Sequence, residues 1–256
     1  MTDTSDERTP IARRTVLAAT GATAAALAVG AAAATYEAPT TETADTAPVA
    51  AAAVCTLTRE MTEGPYYLDG QYVRADITEG KPGIPLKLTL TVVDDDTCAP
   101  LSNALVEIWH ADHLGEYSGF VGANGHSEPD NGTFLRGGVL TNSSGVASIT
   151  TIYPGWYVGR CIHIHVKVHT NVTLTPDGSF TGGQELHTGQ LYFSETITTR
   201  VSRLSPYTAN RVTRTTLTRD SIYDGGGAVS GLLTLTALGS STSSGYTGTL
   251  TLGVEH

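Results

Sequence analysis

Charge is scarce in this chain of 256 residues, and positive charge scarcest. Only 16% of positions are charged, and 15 Lys and Arg stand against 25 Asp and Glu. No dense basic stripe with interleaved aromatics occurs, which excludes the electrostatic footprint of a nucleic-acid binder. A formal net charge of -10 likewise argues against anionic surfaces as partners. The imbalance does not arise at the N-terminus, where Asp3, Asp6 and Glu7 offset Arg8, Arg13 and Arg14. Trp, Met and Phe are rare, at 2, 2 and 4 residues, yet Tyr occurs 11 times. Helical stripes longer than a few turns are missing beyond the N-terminal region, and 28 Gly with 11 Pro exclude an all-helical bundle. A hydrophobic share of 40% excludes wholesale disorder and suffices for one buried core.

Ala12-Arg13-Arg14-Thr15-Val16-Leu17 precedes an uncharged, Ala-rich run that reaches Ala34, and residues 1–34 resemble a twin-arginine export signal. The run approaches the roughly 20 residues that a bilayer span requires. Ala, Gly and Thr dominate it, so removal is expected rather than retention as an anchor, with no stable membrane association afterwards. Residues 35–54, rich in Thr, Ala and Pro, read as a flexible linker, and residues 55–256 as the folded domain of a secreted protein. Export by this route, which carries folded cargo often already holding a cofactor, is a first hint of a metal. The 3 cysteines fit an oxidising destination. Cys55 and Cys98 flank the first strand-like run, and a disulfide between them would be worth roughly 4 kcal/mol in the chain-entropy model. Cys161 is then left over, and a free buried cysteine behaves as a small hydrophobe.

Alternating or β-branched runs appear at 86–93, 104–110, 145–152, 161–169, 190–196, 231–238 and 248–254, with turn signals such as Asp94-Asp95-Asp96, Ala123-Asn124-Gly125, Asn142-Ser143-Ser144-Gly145 and Pro176-Asp177-Gly178 between them. Seven such runs predict an all-β fold, an antiparallel β-sandwich with long loops and little helix, the short helix falling around Ser202 to Asn210. Gly225 to Gly227 mark an expected hinge. The segment from about Ser221 is expected to add a C-terminal hairpin at the sandwich edge.

His163 and His165 fall two apart in one of these runs. They share a face, with Cα atoms about 6.6 Å apart in an extended strand, so both imidazoles can converge on one metal. Such a pair also serves zinc enzymes and copper sites, and some pairs are merely surface histidines. His169 has the same parity but lies about 13 Å further along a straight strand, so further ligands must come from elsewhere. Trp109 and His110 are expected to pack or to support the site, since strand alternation sends neighbours to opposite faces.

The strings Thr62-Glu63-Gly64-Pro65-Tyr66-Tyr67, Trp109-His110-Ala111-Asp112 with Gly115-Glu116-Tyr117-Ser118-Gly119, and Tyr157-Val158-Gly159-Arg160-Cys161-Ile162-His163-Ile164-His165 resemble the intradiol ring-cleavage dioxygenases over about residues 55–200. The resemblance implies a non-haem Fe(III) held by Tyr117, Tyr157, His163 and His165. It makes Tyr157 a base as well as a ligand, Arg160 a catalytic and substrate-binding arginine, Gln190 an active-site glutamine, and Tyr66 a wall of the substrate cleft. Cys161 is not expected as a ligand. The implied substrates are a small catechol-type aromatic diol and O2, and the implied product is a cis,cis-muconate-type diacid.

This donor set suits the chemistry. Phenolate oxygen is a hard anionic donor that stabilises Fe(III) over Fe(II), and neutral imidazoles complete the sphere without adding charge. A ferric centre then activates the organic substrate by lowering the pKa values of its two hydroxyls. Two other classes fit parts of the sequence. A zinc or copper His-x-His enzyme would leave Tyr117 and Tyr157 without a role. A secreted carbohydrate-binding sandwich would use the tyrosines as a groove and leave the histidines incidental. Residues 35–54 are too short and polar to supply the helical N-terminal domain through which cytoplasmic catechol-cleaving members dimerise. The short spacing from Tyr157 to His163 suggests a more open cleft than in members with a longer loop there.

Overall fold

The computed structural model describes residues 55–123, 125–127, 129–223 and 230–256. The expected export signal, the linker and the Gly225 to Gly227 hinge lie outside these residues. Among the described residues no helix is long and apolar enough to cross a membrane.

Among the described residues ten strands form two four-stranded sheets and a small hairpin. In chain order they are β1 (Pro85–Asp94), β2 (Leu105–Trp109), β3 (Arg136–Leu140), β4 (Val146–Ile152), β5 (His163–Thr170), β6 (Thr173–Leu174), β7 (Phe180–Thr181), β8 (Gln184–Tyr192), β9 (Thr234–Ala237) and β10 (Tyr246–Val254). One sheet has the order β4-β1-β10-β9 and the other β3-β2-β5-β8, while β6 pairs with β7. The fold is all-β, as the alternating runs predict.

Period-two patterning explains the core. In β1, Leu86, Leu88, Leu90 and Val92 are buried while Lys87 is exposed. These residues pack with Ala147 and Ile149 of β4, and against Val106, Ile108, Ile164, Val166, Val168 and Leu191 of the second sheet. Burial of each such side chain contributes roughly 1.5 to 3 kcal/mol.

In the C-terminal segment β9 and β10 pair antiparallel at one end of the first sheet, β10 running parallel to β1 and β9 lying at the edge. The structure departs from the sequence reading in two places. The run predicted over 190–196 ends at Tyr192, and α1 begins at Glu195. This helix, Glu195–Val201, takes the place of the one expected at Ser202 to Asn210, where only a single turn at Tyr207–Ala209 forms. Its Thr-Ile-Thr-Thr sequence disfavours helix, but buried Thr198 and Val201 anchor it. Glu195 accepts from the Leu217 N–H and from Arg214. Lastly, β3 was not expected, because Arg-Gly-Gly-Val-Leu lacks alternation.

The second sheet is covered on the face turned away from the first. The strap, residues 55–75, pairs with Gly253 of β10 at Leu57 and Thr58 and then crosses this face from β8 to β3. Met61 N–H donates to the Thr188 carbonyl at 2.9 Å, Glu63 pairs with Lys167 at 2.8 Å, Tyr67 donates to Glu107 at 3.2 Å, and Arg74 N–H donates to the Gly138 carbonyl at 2.7 Å. A disulfide joins Cys55, at the start of this strap, to Cys98, with Cα atoms 5.4 Å apart.

Candidate metal centre

Strand β5 is buried on both faces. Ile164, Val166 and Val168 enter the core, while His163, His165, Lys167 and His169 lie beneath the strap. The Nε2 atoms of His163 and His165 approach to 3.1 Å. The phenol oxygens of Tyr117 and Tyr157 each lie 3.4 Å from His163 Nε2. Four donor atoms from β5 and two loops therefore converge on one point. Tyr117, His163 and His165 are buried, and Tyr157 is partly exposed.

The two imidazoles are oriented by different means. Nδ1–H of His163 donates to the Cys161 carbonyl at 2.7 Å, which leaves Nε2 as a lone pair. His165 is stacked by Trp109 and approached by the strap at Gly64. A Cβ added there would lie 3.2 Å from His165 Cε1, and the φ of +75° favours glycine in any case.

Burial sets the charge states. It pushes the His163 pKa down to about 3, with Arg160 adding to the effect, and pushes His165 well below its usual value, with His163 adding. Both rings are neutral and able to coordinate. Tyr117 is raised by burial and then by Tyr157; Tyr157 is raised by burial, with the Arg160 guanidinium opposing the shift. Two phenols and two neutral imidazoles in a dry cluster suit a hard, highly charged cation, whose field would favour their ionisation. Among the described residues no group of three His, Cys, Asp or Glu is placed to hold a metal, so the tyrosines are indispensable to the candidate set. His169 points elsewhere, its Nε2 lying 3.2 Å from Glu107.

A cavity of about 200 Å³ adjoins the donors, lined by Tyr66, Gly115, Tyr117, Ala123, Tyr157 and Val158. Tyr66 stacks on Tyr117, with centroids 4.6 Å apart. Arg160 lies behind the cavity, its Nη1 3.4 Å from His163 Nε2. Its Nη2 donates to Gln190 Oε1 at 2.5 Å, and Gln190 Nε2 donates to the Thr62 carbonyl at 2.8 Å. Gln190 thus braces Arg160 and the strap. Cys161 is buried beside Tyr192 and Leu217, with its thiol pushed up by burial.

Three participants escaped the sequence reading. Tyr192 donates to Gln190 Oε1 at 3.1 Å. Arg136, buried and held by Ser118, places its guanidinium 5.9 Å from the Tyr117 ring centroid. Asp220 pairs with Arg160 at 2.9 Å. Arg136 and Asp220 act through contacts distant in sequence, whereas Tyr192 reaches Gln190 two positions away on the same strand, a parity the sequence does carry.

Comparison with known proteins places this arrangement. The family model described as Dioxygenase matches residues 62–195. Catechol 1,2-dioxygenase 2 of Acinetobacter lwoffii is 38% identical over 112 residues, 42% of this chain and 38% of that protein. The chain thus matches well under half the length of this curated relative. An intradiol ring-cleavage dioxygenase from Tetranychus urticae is 32% identical with a TM-score of 0.68, over 78% of this chain and 95% of that one. The dioxygenase domain of a dioxygenase carbohydrate-binding protein fusion from Streptomyces sp. SirexAA-E is 25% identical with a TM-score of 0.53, over 78% of this chain and 99% of that one. With a family match over more than half of its length and a solved relative aligned almost end to end, the chain belongs to the intradiol ring-cleavage dioxygenases.

Proposed function

We propose that this chain is a secreted non-haem Fe(III) dioxygenase. It would cleave a catechol-type aromatic diol between its two oxygenated carbons, adding both atoms of O2 to give a cis,cis-muconate-type diacid. Catechol plus O2 has the composition of the diacid, so no external reductant is required. The observation that carries the reading is the convergence of two imidazole nitrogens and two phenol oxygens, 3.1 to 3.4 Å apart, beside an aromatic-walled cavity.

Tyr117, Tyr157, His163 and His165 would hold the iron. A bound ferric ion supplies Lewis acidity that lowers the pKa values of both diol hydroxyls and primes the ring for O2. The remaining work falls to the protein. Tyr157, partly exposed at the cavity, is placed to take a proton from the incoming diol. Arg160 opposes the burial that raises the Tyr157 pKa and offers positive charge where negative charge develops on the diol. Tyr66 provides a wall for a flat ring, and Trp109 and Tyr67 exclude water behind His165. The Cys55–Cys98 disulfide supports an oxidising destination outside the cytoplasm.

The test is the visible spectrum of purified protein loaded with iron, before and after anaerobic addition of catechol. A tyrosinate-to-iron absorption band that shifts with catechol, and is lost in His163→Ala, is expected. A colourless protein saturated with zinc, or one turning over catechol without bound iron, would contradict the reading.

A further inference from the structure

Asp220 follows the single turn Leu217–Arg219 and lies beyond the residues matched by the family model. It is 0% exposed. Its carboxylate accepts four hydrogen bonds. Oδ2 accepts from Arg160 Nε–H at 2.9 Å and from Cys161 N–H at 2.7 Å. Oδ1 accepts from the N–H groups of Ile222 at 2.8 Å and Tyr223 at 3.1 Å. Burial alone would raise its pKa, but the Cys161 N–H and Arg160 outweigh it and hold the group down at about 2. A buried carboxylate with this many donors is an anchor, not a solvated turn residue.

The two groups on Oδ2 reach the metal centre by separate routes. Arg160 extends Nη1 to within 3.4 Å of His163 Nε2, and its Nη2 is tied to Gln190. A guanidinium is a rigid planar fork, so fixing Nε and Nη2 leaves Nη1 one direction. Cys161, through its carbonyl, receives Nδ1–H of His163 at 2.7 Å. That bond sets the tautomer and tilt of the ring. A single carboxylate therefore holds both the cation facing the donors and the carbonyl that orients a donor.

We propose that Asp220 is a positioning residue for diol cleavage, aiming Arg160 Nη1 at the donor cluster and seating the Cys161 carbonyl that orients His163. The proposal rests on the reading of this centre as a diol-cleaving site, but the placement of Arg160 is testable without turnover. An anchor that served the fold alone would alter stability and leave kcat untouched.

The first measurement uses metal-free, 15N-labelled wild-type protein. The Nε–H signal of Arg160, assigned by its loss in Arg160→Lys, should be distinct and protected from exchange with water. Rapid exchange of that signal would overturn the proposal whatever any variant does. The second compares iron-loaded Asp220→Asn and Asp220→Glu with the wild type. Asp220→Asn preserves size but loses the charge, and kcat should fall roughly 10- to 100-fold, the range found for groups that orient metal ligands, with KM for catechol nearly unchanged. Its tyrosinate-to-iron band should shift, and Asp220→Glu should recover part of kcat. A destabilised Asp220→Asn with wild-type kcat and an unshifted band would overturn the assignment. If wild-type protein fails to cleave catechol, the functional reading falls, and the Arg160 signal still decides whether Asp220 holds that side chain.

Discussion

The indole of Trp109 lies flat on the imidazole of His165, with ring centroids 4.8 Å apart and planes 7° from parallel. The two residues are directly opposed across the antiparallel β2·β5 pair. His165 Nδ1 is buried without a hydrogen-bond partner, so this ring, unlike that of His163, is held by packing.

Replacing the indole should therefore loosen one ligand selectively. Trp109→Leu is expected to lower stability by about 2 kcal/mol, through lost burial and stacking, and to speed loss of iron to a chelator. Melting temperature and iron release together check this. A lowered melting temperature with unchanged iron release would show that the indole only fills space.

Tyr157→Phe removes the phenol proposed to receive a diol proton while leaving the ring that packs on Tyr66. The variant should keep part of its iron and lose about 100-fold or more in kcat, the range for removal of a general base. Single-turnover kinetics under limiting O2 measure it. Turnover at the wild-type rate would remove Tyr157 from the proton path.

Reduction or double substitution of the Cys55–Cys98 disulfide should cost about 4 kcal/mol for a loop of this size in the chain-entropy model. The strap is also tied by Met61, Glu63, Tyr67 and Arg74, so Tyr66 should stay on Tyr117. Denaturation with and without reductant, compared with kcat under both conditions, distinguishes the two effects. Loss of activity ahead of unfolding would show that the disulfide holds the cleft wall.

His110 contributes a pH dependence. It is fully buried, and burial pushes its pKa down to about 4, with Asp112 and Arg136 acting in opposite senses. Nδ1–H donates to the Ala111 carbonyl at 2.8 Å, and Nε2 accepts from the Thr151 hydroxyl at 2.7 Å. Below the unfolded value of 6.5 the unfolded chain gains a proton that the folded ring refuses. Stability is thus fully present above 6.5 and declines towards pH 4, by about 3 kcal/mol in all. Urea titrations across that window should show a shallower slope for His110→Gln.

The sequence was most legible where chemistry and periodicity coincide. Strict alternation from Leu86 to Val92 marks β1, and the contiguous Tyr157 to His165 string carries three of the four donors. Tyr117 was visible only through its motif, since a loop tyrosine carries no period. Strand β3 was hidden because Gly138 is required by its neighbours: a Cβ there would meet the Val106 carbonyl at 2.9 Å. Asp220 was hidden because an aspartate near Tyr223 and a glycine run has the composition of a turn. Only the folded chain brings it to Arg160, sixty positions earlier in the sequence.

The parallel pairing of β10 with β1 joins Leu86 to Tyr246 and Asp94 to Val254. A nascent chain presents β1 long before the ribosome has made its parallel neighbour, and the sheet must wait for that later strand. Closing so long a loop is entropically slow, and β1 keeps an open edge meanwhile. Ending translation before Tyr246 would delete no residue of the candidate metal centre. It would nevertheless leave β9 unpaired and strip Leu252 and Val254 from the core behind β5, so β10 governs when the site can exist.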